Sequence, residues 1–98
     1  MNFYNSRQWE RKRQRILRRD GYLCQYFKRY GRMVEANTIH HILPREQFPE
    51  YQLADWNLIA LSTEAHNKMH DRDTHKLSEE GKRLAERTIL KNNIELEL

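Results

Sequence analysis

Four of the five histidines in this 98-residue chain fall in two pairs, His40 and His41 side by side in "TIHHILP" and His66 and His70 four apart in "AHNKMH". A single histidine is ordinarily a hydrogen-bonded or surface residue, and His75, outside both pairs, reads as one. Two pairs offer more chemistry. On a strand neighbouring side chains point to opposite faces, so His40 and His41 cannot share one role. On a helix a spacing of four is about one turn, so His66 and His70 share a face and can present two imidazole nitrogens to one divalent metal. A strand lying opposite supplies a third from His40, and His41 then turns toward a water. Its near-neutral pKa suits a general base. Cation, activated water and oriented base are what hydrolysis of a phosphodiester requires.

The elements that must position these groups can be read along the chain. Ser6 is placed to N-cap a helix through "RQWERKRQRILRR", which sets Trp9, Ile16 and Leu17 on one stripe and ends at Asp20-Gly21. Tyr22, Leu23, Tyr26, Phe27 and Tyr30 follow as a short aromatic knuckle. Beyond the turn at Gly31, Met33-Val34 is expected to pair with Ile39 to Leu43 as a hairpin. "REQFPEYQLAD" reads as loop. Leu58, Ile59 and Leu61 begin a buried piece, and Ser62 or Thr63 can cap a helix carrying His66 and His70. A last helix from about Ser78 has Glu79 and Glu80 at its positive end and turns Leu84, Ala85 and Leu90 to the core. The expectation is an α+β fold in one domain over 1–98, with a basic helix over 1–21, the histidine core over 33–72 and a C-terminal helix over 76–98.

Charge is unevenly spread. Residues 1–45 hold 11 Lys or Arg against 3 Asp or Glu, whereas residues 46–98 hold 7 against 11. A basic half of this kind fits a polyanion, because each neutralised phosphate releases counterions. A solvated helix face is the plainer alternative for such a run. Arg7, Arg11, Lys12, Arg15, Arg18 and Arg19 are the candidate phosphate contacts, with Arg45 after the strand and Lys68 beside the histidine pair. The mean hydropathy of −1.06 excludes a transmembrane span, so no membrane partner is expected. No signal-like apolar block opens the chain, which makes the cytoplasm the expected compartment. With Cys24 alone, neither an internal disulfide nor a four-cysteine zinc cage can form in the chain.

The compound pattern "IHHILP", then "DWNLIAL" with Asn57, then "AHNKMH" resembles the HNH endonuclease family with its ββα-metal finger. With the opening "FYNSRQWERKRQRILRRDGYLC" and the tail "LSEEGKR", it is most similar to small HNH proteins of bacteriophages and prophages, across most of the chain. That resemblance implies a DNA endonuclease of a bacterial host cell, using one divalent ion (Mg2+, Mn2+, Ni2+ or Zn2+). It implies His40 and His66 as metal ligands and His70 as a third ligand or phosphate contact. His41 becomes the general base, and Asn57 the residue that pins the loop and helps hold His41. Family members commonly carry two C-x-x-C knuckles around a structural zinc. Here those positions read Cys24-Gln-Tyr-Phe27 and Ser62-Thr-Glu-Ala65, so no structural zinc is expected and Phe27, Leu61 and Ala65 should pack in its place, leaving Cys24 a buried, inert thiol. Loss of that staple makes a homodimer or a partner protein plausible. A catalytically weak DNA-binding module, accessory to a phage packaging terminase, is the alternative function. A closed structural zinc site built from the histidines is a third, disfavoured because it needs four ligands.

Overall fold

Ser6 Oγ accepts the Trp9 N–H at 3.1 Å, and this cap starts helix α1, Arg7–Arg19. A computed structural model describes residues 2–96; Met1 and residues 97–98, the ends of the expected spans, lie outside the described residues. After α1 come α2 (Gln25–Arg29), β1 (Thr38–His41), β2 (Leu58–Leu61), α3 (Thr63–Lys68) and α4 (Glu79–Lys91), with short 3-10 turns at Phe3–Asn5, Pro49–Tyr51 and Asp55–Asn57. Ser62 caps α3 through the Ala65 N–H and Ser78 caps α4 through the Gly81 N–H, each hydroxyl taking one of the donors a helix start leaves unpaired. No helix among the described residues is long and apolar enough to cross a membrane.

β1 and β2 form a two-stranded antiparallel sheet in which Ile39 faces Ala60, His40 faces Ile59 and His41 faces Leu58. Opposed residues share a face of the sheet. One face carries Ile39, Leu58 and Ala60, which pack with Trp9, Ile16 and Leu17 of α1. The other carries His40, Ile59 and Leu61, and there Leu61 packs with Cys24, Phe27, Ala65 and Met69. The knuckle positions thus converge as apolar packing, with Cys24 fully buried. Asp20 fixes α1 against the sheet by accepting the Ala60 N–H at 2.9 Å, while the Arg19 guanidinium donates to the Asp55 and Leu58 carbonyls.

Three sequence expectations need correction. The partner of β1 is Leu58–Leu61, not Met33-Val34; Val34 accepts the Cys24 N–H at 2.7 Å and Met33 is exposed. Short apolar runs mark both segments, but the strand that buries residues on both of its faces lies beyond residues 42–57, further than a local hairpin rule reaches. Leu90 is 78% exposed, because the buried stripe of α4 runs through Gly81 and Ala85 instead. His70 is not on a helix: α3 ends at Lys68, and His70 forms an isolated bridge with Leu77.

Candidate metal centre

His40, His66 and His70 meet on the face of the sheet that α3 covers. One ligand nitrogen from each ring lies within 4.8 Å of the others. Their ring centroids are 5.1–5.2 Å apart, with the planes steeply inclined to one another. His40 comes from β1, His66 from α3, and His70 from the extended stretch after it, so strand, helix and return loop each supply one ring. The last is held by α4. Ser78 N donates to the Met69 carbonyl at 2.9 Å, and Gly81 packs so closely that a Cβ there would stand 2.2 Å from that same oxygen. Glycine is what allows α4 to lie against the residue preceding His70.

His40 is 1% exposed, and among the described residues neither of its ring nitrogens has a hydrogen-bond partner. A neutral imidazole needs one acceptor and one donor, and leaving both unmet in a buried site is costly. Burial first, then the His66, His70 and His41 rings, hold its pKa well below the usual histidine value, and burial followed by His70 and His41 does the same more mildly for His66. Neutral rings with free lone pairs are the form a cation binds. His70 Nδ1 lies 3.2 Å from the His75 carbonyl, which can only accept; Nδ1 is therefore the donor there, and Nε2 is the nitrogen left for a ligand. The donor set fits a divalent metal, and the partly exposed His66 and His70 leave one side of the trio open.

His41 points to the opposite face, as alternation requires. Its ring stacks on Trp9 at 5.2 Å and 20°, beside Phe3 and Tyr4. Nε2 is 3.0 Å from the Gln52 carbonyl and must be the protonated nitrogen, which leaves Nδ1 unprotonated. Burial lowers the His41 pKa and Arg45 lowers it further, outweighing the Gln52 bond, so the ring is neutral near pH 7.

Asn57 is fully buried, and its side chain makes no hydrogen bond to His41. Its Oδ1 accepts the Leu43 N–H at 2.7 Å and its Nδ2 donates to the Leu43 and Tyr51 carbonyls. It therefore fixes both ends of the loop that delivers Gln52, acting on His41 only through that loop. Arg45 donates to Gln52 Oε1 at 2.9 Å and lies 4.3 Å over the Phe3 ring. The phosphate-contact candidates divide. Lys12 and Arg15 pair with Asp55, and Arg19 with Asp20, whereas Arg7, Arg11, Arg18 and Lys68 are exposed and in no ion pair among the described residues. Trp9, Phe3 and Gln52 were not legible as site residues. Trp9 looks like core by period, and the Gln52 contact uses a backbone carbonyl that no side-chain type announces.

A strand pair followed by a helix, with histidines of strand and helix converging on one point, defines a ββα-metal finger. No family model and no curated protein matches the chain. Among solved structures it is similar to the HNH endonuclease of the deep-sea thermophilic bacteriophage GVE2, crystallised with manganese ion, at 37% identity and a TM-score of 0.65 over 66% of this chain and 71% of that one. The chain belongs to the HNH endonuclease family.

Proposed function

We propose that the protein is a metal-dependent endonuclease that hydrolyses DNA phosphodiester bonds. The observation that carries this reading is the pairing of a three-histidine cluster, closed around a buried His40 with two unpartnered nitrogens, with a neutral His41 of fixed tautomer on the next residue. His40, His66 and His70 would hold one divalent ion. That ion would supply charge neutralisation at the scissile phosphate and the leaving oxygen. His41 Nδ1 takes the proton from the attacking water, and the Gln52 carbonyl keeps Nε2–H in place and stabilises the imidazolium that forms. Trp9 behind the ring prevents it from tilting. Asn57 is a positioning residue for the loop bearing Gln52. Arg45, held between Phe3 and Gln52 beside His41, would supply a cation for the phosphate, and Arg7, Arg11, Arg18 and Lys68 would extend the contact to flanking DNA. Imidazole ligands favour nickel and zinc in affinity, whereas magnesium and manganese are the usual hydrolytic ions. Plasmid cleavage in EDTA and with added Mg2+, Mn2+, Ni2+ or Zn2+ tests the proposal. Conversion of supercoiled plasmid by metal-loaded protein only is expected, and no conversion with any of the four ions overturns it.

A further inference from the structure

A groove of about 710 Å³ runs between α2 and α4, past the C-terminal end of α1 at Arg19 and Asp20. It lies next to the metal centre: its floor includes Ile59, the residue opposite His40 in the sheet, and Met69, the residue before His70. Its walls carry Arg29 from α2 and Arg83, Arg87 and Lys91 from α4. All four are exposed, and none is in an ion pair among the described residues. The acidic half of the chain therefore contributes a row of cations to a single wall. Arg83, Arg87 and Lys91 are spaced by four, which puts them on one helix face over about 12 Å at 1.5 Å per residue. A cationic row of that length can follow the phosphates along one DNA strand.

The acidic groups in the groove do not neutralise this row. Asp20 is bound to Arg19 and to the Ala60 N–H, and Glu80 stands beside Tyr26, whose hydroxyl pKa it pushes up to about 12. Burial, then the neighbouring Arg29 and Arg83, depress the Arg87 pKa, a repulsion that a bound anion relieves. Tyr26 stays protonated, and Tyr30, two-thirds exposed on the same rim, adds a second hydroxyl for phosphate oxygens.

We infer that the α2–α4 groove, through Arg29, Arg83, Arg87 and Lys91, is a second DNA-binding surface that holds the backbone of duplex flanking the cleaved bond. This partner rests on the proposed function, so the test reads binding alone, in EDTA. Fluorescence anisotropy with a labelled duplex is measured from 50 to 200 mM salt for wild type and for the Arg29→Gln/Arg83→Gln/Arg87→Gln variant. Three lost phosphate contacts reduce the log–log salt slope by about 2.7, so wild type loses about 40-fold more affinity than the variant over that range. Lys91→Gln alone, at an exposed position, lowers the slope by about 0.9 and serves if the triple variant does not fold. An unchanged slope in both overturns the inference. So does equal duplex binding by wild type and variant together with lost binding of poly-glutamate, which assigns the groove to an acidic polypeptide. A wild type that cleaves no plasmid while the variant's slope falls refutes the nuclease reading and leaves the groove standing.

Discussion

Replacing His40 with leucine should make the metal-free protein more stable while removing its metal site. His40 is buried, and among the described residues both of its ring nitrogens are unpartnered. An unsatisfied buried polar group costs about 1–3 kcal/mol, so the donor and acceptor together cost about 4 kcal/mol at mid-range. Leucine removes both and fits imperfectly, at a cost of up to about 1.5 kcal/mol. The net gain in EDTA is then about 2.5–4 kcal/mol, or about 10–30 °C in melting temperature at about 4–8 °C per kcal/mol for a domain of this size. Manganese should reverse the order once it is far above its Kd. At about 1,000 times its Kd it stabilises wild type by about 4.1 kcal/mol and leaves the variant unmoved. Melting curves with and without EDTA, followed by a manganese titration, check both limbs. A His40→Leu protein less stable than wild type in EDTA would show that the imidazole is satisfied in the metal-free state and that the centre is not built around an absent cation.

His41→Ala should cut the cleavage rate by about 10²–10⁴-fold with metal and DNA affinity retained; comparable rates in a plasmid assay sink the assignment of the base. Gly81→Ala places a methyl group against the Met69 carbonyl. It should destabilise by about 1–3 kcal/mol despite alanine's better helix propensity, and should weaken metal binding through His70; a gain in melting temperature would refute the close approach. Asp55 is held below its ordinary pKa chiefly by the Lys12 hydrogen bond, so its contribution to stability is present above the unfolded carboxylate pKa and fades as pH falls through the lower folded value. Asp55→Asn should therefore cost a little near neutrality, about 0.2–1 kcal/mol for a partly exposed pair, and nothing at strongly acid pH; a constant difference across an acid titration of stability would contradict this.

The helix caps and the stripe of α1 were legible because they are local. Ser6 and Ser78 announce helix starts by type, and Trp9, Ile16 and Leu17 by period. The histidine cluster was legible because its two pairs are tight in sequence, although His70 reaches it from an extended stretch rather than from the helix that the spacing of four suggests. What sequence could not supply was long-range pairing. Nothing in "TIHH" names "LIAL" as its partner, and the sixteen intervening residues include a buried Asn57 that acts on backbone alone. The cationic row of α4 was equally hidden, since the net acidity of the C-terminal half masks three basic residues sharing one face.

Adjacent histidines on a strand solve a specific problem. In the proposed mechanism the ligand His40 and the base His41 must be close enough to serve one phosphate, yet the base must not be captured by the metal. Consecutive strand positions separate the two side chains by a face of the sheet with only one peptide between them. The arrangement then depends on register, because a slip of one residue would exchange the roles of His40 and His41. The structure pins that register from several directions. Asp20 holds the Ala60 N–H, Arg19 holds the Leu58 carbonyl, and Asn57 holds Leu43 just beyond His41. Arg19 and Asn57 thus contribute to the centre without touching it, by fixing which face each histidine occupies. The apolar packing of Cys24, Phe27 and Ala65 serves the same end: it joins α2 and α3 by side-chain contact and so helps hold His66 against the sheet.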